Sequence, residues 1–418
     1  MGYSMLFRKQ MAPEQVFTPR SAEVNPEMYI SRKQLESALK RALRGNLHMI
    51  IHGQSGTGKS WLYKKTLKDL KVPFMVANLA NASRLGSICA ELKNLVDREG
   101  RSIKVSFEEQ KSAEANAVVA KGGLSHTDMY EIGQMEPFEA CLAFLCKQSN
   151  NKPSILVFDN LEAAFTEPLL KELADLIILC DDERYSRFNV KILVVGVPGG
   201  VKEYFYKTPH HNTVANRLVE LPEVTRLEKP ECNDLVKRGF IEKLHYKVFS
   251  ETELMEHVAW ITDRVPQSVH EYCLELAFTS EESQIVNSDY ISIADQDWLS
   301  KSQYYSYSVI ESHMNERETK AGRRNQTLFA LSLCTGEQFK AGDIEEIIRK
   351  EFPTSTGGTV LNVPQMLSQL AAGEKPIIKR SPKGDAFTFA DPRYKMVLRT
   401  MLKKGEAEIV EKVPVSNN

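Results

Sequence analysis

Nowhere in these 418 residues does an apolar run approach the ~20 residues that a helix needs to cross a bilayer. The longest runs, such as Ile155 to Phe158 and Leu176 to Leu179, are of strand or buried-helix length, so no membrane span is expected. An excess of one charge is missing as well. With 54 Lys+Arg against 55 Asp+Glu, no bulk positive field draws the chain to nucleic acid or anionic lipid, and such binding must come from a local patch. The seven cysteines, at 89, 141, 146, 180, 232, 273 and 334, form no CxxC pair and have no histidines at zinc spacing, which predicts reduced, buried thiols. Only 22 Gly and 18 Pro are present, and 26% of residues are charged, which rules out collagen-like and wholly disordered chains. The opening MGYSMLFRKQMAPEQ lacks the apolar core of a secretory signal, and Leu6 stands where a myristoylation signal has Ser or Thr, so the expected location is the cytoplasm. Internal repeats and low-complexity tracts are absent.

What is present falls into blocks. Residues 1–28, with Pro13, Pro19 and Pro26 and little periodicity, read as an N-terminal arm. Residues 29–225 alternate: helix Arg32–Leu43, strand Leu47–Ile51, helix Ser60–Leu70, strand Val72–Val76, helix Ser83–Val96, strand Ile155–Phe158, helix Pro168–Cys180, strand Lys191–Val195. Continuously apolar strands between helices imply a parallel sheet covered on both faces, an α/β core. The stretch 101–128 breaks the alternation. There Ile103, Val105 and Phe107 alternate with polar residues ahead of Gly122-Gly123, predicting an inserted hairpin or loop, either a solvated connection or a contact surface. Residues 226–318 show apolar positions at three and four spacing over Glu231–Leu244, Glu251–Thr262, Ser268–Phe278 and Asp289–Leu299, a small helical domain. Residues 319–405 give helices at Thr327–Leu333, Asp343–Phe352 and Val363–Ala372, then strands at Pro376–Arg380 and Ala386–Phe389, the order of a winged helix. Residues 406–418 read as a tail.

The motif with the clearest chemistry is Gly53-Gln54-Ser55-Gly56-Thr57-Gly58-Lys59-Ser60, a complete GxxxxGK[ST] between an apolar strand and a helix. Glycines let backbone N–H groups approach a phosphate chain, and the following helix points its positive end at the anion. Lys59 is expected on the β and γ phosphates of ATP and Ser60 on Mg²⁺, with Trp61, next along the helix, counted among the nucleotide-binding residues. A second metal-shell group belongs at the end of a neighbouring buried strand, where Ser154-Ile155-Leu156-Val157-Phe158 delivers Asp159. The following residue is Asn160, not glutamate, and Glu162 comes two places later. Three readings stay open: Asn160 orients a water, Glu162 acts as the base from the next turn, or the site is a slow switch. Glu162 can equally be a solvated residue favoured by the helix dipole.

On these residues the chain resembles the AAA+ and STAND ATPases, most closely the initiator (origin-recognition) and transposition-regulator branch, over roughly residues 28–400. The resemblance implies a P-loop (ASCE/AAA+) parallel-sheet core, a helical lid over 226–318 and a C-terminal winged helix. Tyr29-Ile30-Ser31-Arg32-Lys33-Gln34-Leu35 is similar to the segment that walls the adenine pocket. Lys191-Ile192-Leu193-Val194-Val195-Gly196-Val197-Pro198 is similar to the fourth core strand, without the polar sensor that usually follows it. Asn216-Arg217-Leu218-Val219-Glu220-Leu221 resembles the segment carrying an arginine finger, which makes Arg217 a residue for a neighbouring subunit's phosphates or, on the plainer reading, a surface arginine at a strand start. Thr262-Asp263-Arg264-Val265-Pro266-Gln267 resembles the sensor-2 turn, with Gln267 at the arginine position and Arg264 nearby.

One charge asymmetry remains. From Lys320 onward there are 16 Lys+Arg against 11 Asp+Glu, an excess of 5, which leaves −6 for residues 1–319 out of the whole-chain −1. Lys375, Lys379, Arg380, Lys383, Arg393, Lys395, Arg399, Lys403 and Lys404 cluster around the wing and the last helix, where they suit phosphate contact. The Val363–Ala372 helix offers only Gln365, Ser368 and Gln369 as polar readers, which argues against base-specific recognition. The adjacent His210-His211 point in different directions, and Asp181-Asp182-Glu183 reads as a solvated helix end; neither is a metal site. The expected function is an ATPase, slow or fast, that acts as a homo-oligomeric nucleotide-gated switch or motor, with DNA or RNA on the winged helix. The alternative is a STAND-like signalling or anti-phage defence ATPase that activates a separate effector protein. A small-molecule kinase has no use for the helical and winged extensions.

Overall fold

The computed structural model describes residues 11–98, 135–164, 166–196, 211–315, 322–381 and 384–413. The 101–128 insertion, the Val197–Pro198 end of the sensor segment, His210 and Lys383 lie outside them. The described chain divides into two compact units: residues 31–225 with Ala22–Val24, and residues 226 onward with the segments up to Ser21 and Asn25–Ile30.

In the first unit the apolar runs become five parallel strands, β1 His48–His52, β2 Phe74–Asn78, β3 Ser154–Asp159, β4 Val190–Gly196 and β5 Leu218–Glu220. Their order is β2-β3-β4-β1-β5. Successive side chains of a strand point to opposite faces, and both faces are covered. Met49, Ile51, Val157 and Val195 pack with Leu39, Leu62 and Leu67 of α1 (Lys33–Arg44) and α2 (Lys59–Asp69). Ile50, Leu156, Phe158 and Val194 pack on the other side with α3 (Leu79–Leu85), α4 (88–98), α5 (Pro137–Gln148) and α6 (Glu167–Cys180).

Two local differences from the sequence reading have clear causes. The helix expected over Ser83–Val96 is two helices, because Gly86 takes a left-handed φ of 75° and ends α3. Helix α4 then starts on a carboxylate from another element: Glu172 of α6 accepts from Ser87 Oγ (2.9 Å), Ile88 N (2.8 Å) and Cys89 N (2.9 Å). Helix α5 gave no periodic signal, since it is buried almost all round from Phe138 to Cys146.

The second unit begins with α7 (Lys229–Lys237), which runs on as a π-helical turn, Arg238–Lys243. There a Cβ on Gly239 would lie 2.2 Å from the ring of Phe17. The arm is therefore partly core: Val16, Phe17 and Met28 are buried with Phe240 and Leu235. Helices α8 (Glu251–Ile261), α9 (Pro266–Thr279), α10 (Ser288–Lys301) and α11 (Tyr304–His313) follow.

The C-terminal block reads α12 (Arg323–Leu333), β6 (Gln338–Phe339), α13 (Ala341–Glu351), α14 (Val363–Leu370), β7 (Ile378–Arg380) and β8 (Phe387–Phe389). Strand β8 pairs antiparallel with both β6 and β7, making a three-stranded sheet of order β6-β8-β7. Helix α15 (Pro392–Met401) follows, and β9 (Leu402–Lys404) pairs antiparallel with β10 (Val410–Lys412), so residues 410–412 of the expected tail are a strand.

The basic cluster is also redistributed. Lys395 and Arg399, four apart on α15, point inward, with side chains only 4% and 3% exposed, and both pair with Asp263. Lys375, Lys379, Arg380, Lys403 and Lys404 stay exposed.

Candidate nucleotide site

Strand β1 hands the chain to Gly53, whose N–H donates to Gly196 O (3.3 Å), while Val224 N donates back to His52 O (2.8 Å). A Cβ at Gly53 would meet Val224 O at 2.2 Å, so only glycine fits between the two strand ends. Gly56 and Gly58 have φ of 79° and 92°, and Gly58 caps α2. Buried Thr57 braces the turn by donating from Oγ1 to Gln54 O (2.8 Å), and Ser55 is its exposed corner. The first N–H groups of α2, which have no partner within the helix, open onto this loop, an arrangement suited to a phosphate chain. Lys59 Nζ lies inside the loop, donating to Gly53 O (2.7 Å) and Gln54 O (2.9 Å). Burial pushes its pKa down, and the charges of Glu162, Asp159 and Glu223 oppose that shift.

The acidic side is equally ordered. Ser60 Oγ and Tyr63 OH both donate to Asp159 Oδ2, at 3.1 and 3.0 Å, and Asn160 N donates to Oδ1 (2.8 Å). Parallel pairing sets Asp159 of β3 opposite Asn78 of β2. Asn160 adopts a left-handed φ of 63°, which asparagine tolerates, and its amide donates to Asn78 Oδ1 (3.2 Å). Ser60 and Asp159 offer the hard oxygen donors that suit Mg²⁺. Among the described residues no group of three or more His, Cys, Asp or Glu could cage a metal alone. Mg²⁺ generally takes one or two protein oxygens and fills the rest of its shell with phosphates and water.

Tyr63 is a positioning group that the sequence reading missed. Its ring packs edge-on to Phe74, and burial and the Asp159 charge raise its pKa, so it remains a hydrogen-bond donor at neutral pH. Tyr63→Phe is expected to weaken Mg²⁺-dependent ATP binding about threefold to tenfold while leaving metal-free nucleotide binding unchanged. Titrating a fluorescent ATP analogue with and without Mg²⁺ checks this.

The remaining expected site residues are spread out. Glu162, exposed in the turn Leu161–Ala164, is close enough for its charge to act on Lys59. Trp61 is half-buried on α2. Arg32 ties the P-loop to the segment after β5, donating to Thr57 O (3.2 Å) and Thr225 O (2.6 Å). Tyr29 and Arg264 belong to the other compact unit. There Tyr29 O accepts from Arg238 Nη1 (3.0 Å), and Arg264, at a φ of 60°, accepts the Leu227 N–H (2.9 Å). Arg217 precedes β5, whose Leu218 pairs with His48 at the start of β1. That is the end of the sheet away from the P-loop, about 16 Å from Gly53 at ~3.3 Å per strand residue. Asn78, the last residue of β2, and Glu223, three residues beyond β5, also went unnamed in the sequence reading.

Residues 41–205 match the family described as an AAA domain. No curated protein matches the sequence. In fold the chain is similar to the Walker-type ATPase PABY2304 of Pyrococcus abyssi, with 16% identity, 89% of this chain and 96% of that chain covered, and a TM-score of 0.50. It is also similar to the ORC2 protein of Aeropyrum pernix in its ADP form, with 15% identity, coverage of 92% and 95%, and a TM-score of 0.47. At such identities the likeness is one of fold.

Proposed function

We propose that this chain, which carries an AAA ATPase domain over residues 41–205, is an oligomeric switch that binds MgATP tightly and hydrolyses it slowly. The observation that carries this reading is the group after Asp159. It is an amide, Asn160, tied to Asn78, and of the other carboxylates near Lys59, Glu162 sits in an exposed turn and Glu223 lies beyond the end of β5. An amide orients water without removing its proton, so a strong general base is missing from the position that follows the metal-shell aspartate. Lys59 and the loop amides hold the phosphates, and Ser60 and Asp159 hold Mg²⁺, which neutralises charge on the phosphates when bound. Arg217, at the far end of its own sheet, serves a neighbouring subunit, which makes assembly a condition for turnover.

Two partners fit the C-terminal block. Exposed Lys379 and Arg380 on β7 support phosphate-backbone contact with DNA. The burial of Lys395 and Arg399 favours a second reading, a signalling ATPase that docks a protein effector, because it removes two cations from that face. The mass of the assembly with and without MgATP, measured with duplex DNA at several salt concentrations, tests both. ATP-dependent growth in mass is expected, together with DNA affinity whose salt slope falls by roughly one to two on Lys379→Glu/Arg380→Glu. ATP-independent monomers would overturn the switch; assembly without DNA affinity would select the effector reading.

A further inference from the structure

We infer that Asp181 is the positioning residue that presents Arg217 to a neighbouring subunit. The inference rests on the trans role proposed for Arg217. Asp181 caps the C-terminus of α6, where the helix dipole disfavours a carboxylate, so its charge requires cations close by. Arg217 Nε lies 2.9 Å from Asp181 Oδ2, and Arg217 Nη1 donates to Thr213 O (3.0 Å). Nη1 is thus fixed by a hydrogen bond, Nε makes an ionic contact that lacks hydrogen-bond alignment, and Nη2 has no partner among the described residues. The side chain keeps 31% exposure, enough to meet another surface.

The other carboxylate oxygen faces the central strand. His48, buried at the start of β1, accepts the Ile192 N–H at Nδ1 (3.1 Å), which places its ring proton on Nε2. That nitrogen lies 3.4 Å from Asp181 Oδ1. Asp181 thus contacts both the imidazole of the strand and the arginine, neither aligned as a hydrogen bond, and its charge restrains Arg217 before any subunit arrives. An arginine ordered in advance loses less entropy on meeting a phosphate.

The test separates the two subunits' roles. Lys59→Ala lacks a working P-loop but retains Arg217; Arg217→Ala has the opposite defect. Each is expected to be inactive alone, and a mixture is expected to recover ATP turnover. Asp181→Asn is then added to one partner at a time. On the Lys59→Ala donor it should lower the mixture's kcat about threefold to tenfold with KM for ATP unchanged. On the Arg217→Ala acceptor it should change neither. Equal losses from both placements would mark Asp181 as structural and overturn the inference, as would no loss on the donor. If Arg217→Ala alone keeps full turnover, or the mixture recovers none, the trans role of Arg217 fails first and the inference falls with it. Thermal melting of each variant separates either outcome from unfolding.

Discussion

Replacing Lys59 with Ala is expected to lower MgATP turnover about 10²–10³-fold, the largest activity loss that a single side chain of this site should give. Lys59 Nζ is the cation held inside the P-loop, by the carbonyls of Gly53 and Gln54. The residues that carry them are themselves tied, Gly53 through its N–H to Gly196 O and Gln54 through its carbonyl to the Thr57 hydroxyl. The cation is pre-organised where phosphate charge must be balanced, in a half-buried setting where its field is weakly screened. Burial disfavours the ammonium, but three carboxylates, Glu162, Asp159 and Glu223, favour it. Alanine is a good former at this first helical position of α2, so the fold should survive. Turnover assays beside circular-dichroism melting check both halves. Turnover within a few-fold of the parent would mean that the loop amides alone bind the phosphates.

Why this site was partly legible is a matter of distance along the chain. The P-loop is local: eight consecutive residues carry the glycines, the lysine and the serine, and their order is the mechanism. The strands were legible because Ile50, Leu156 and Val194 on one face and Met49, Val157 and Val195 on the other make each run apolar throughout. Tyr63 and Asn78 were not, because helix packing on the sheet brings Tyr63 to Asp159 from 96 residues away and parallel pairing brings Asn78 to Asn160 from 82. Asn78 did leave a trace: it is the polar residue that ends a buried strand, as Asp159 is. Helix α5 left none, since a helix apolar on every side has no period to detect.

The basic C-terminal cluster misled for a related reason. Composition counts charges without saying where they point. Helix α15 contains Tyr394, Met396, Val397, Leu398 and Met401, all buried, so a cation on it at Lys395 or Arg399 also falls among apolar neighbours. Two cations four apart on such a helix signal a buried anion opposite them, and Asp263, read only as part of a sensor-like turn, is that anion.

Asp263→Ala is accordingly expected to destabilise the C-terminal unit by about 3–5 kcal/mol, the cost of leaving buried cations without their counterion. One carboxylate serves three of them: Arg226 Nη1 at 2.5 Å, Lys395 Nζ at 3.1 Å and Arg399 Nη1 at 2.9 Å. The arginines have further partners, Arg226 donating to Thr335 O and Arg399 to Ser332 O while its guanidinium stacks 3.9 Å over Trp260. Among the described residues Lys395 pairs with Asp263 alone, and burial depresses its pKa to about 8 despite that charge. The sign of the pH dependence follows. Unfolded, the lysine holds its proton up to about 10.5. Between about 8 and 10.5 the unfolded chain therefore binds more protons than the folded one, and stability rises with pH across that window. The rise is at most ~3 kcal/mol for this group. Urea unfolding of the parent and of Lys395→Met from pH 7 to 10.5 isolates it, since methionine has no proton to lose. The parent should gain on the variant as pH climbs, and a constant difference would mean that Lys395 is solvated rather than buried. The triple change Asp263→Leu/Lys395→Met/Arg399→Met should cost less than Asp263→Ala alone, because two of the three cations leave with their counterion and Arg226 keeps its bond to Thr335 O.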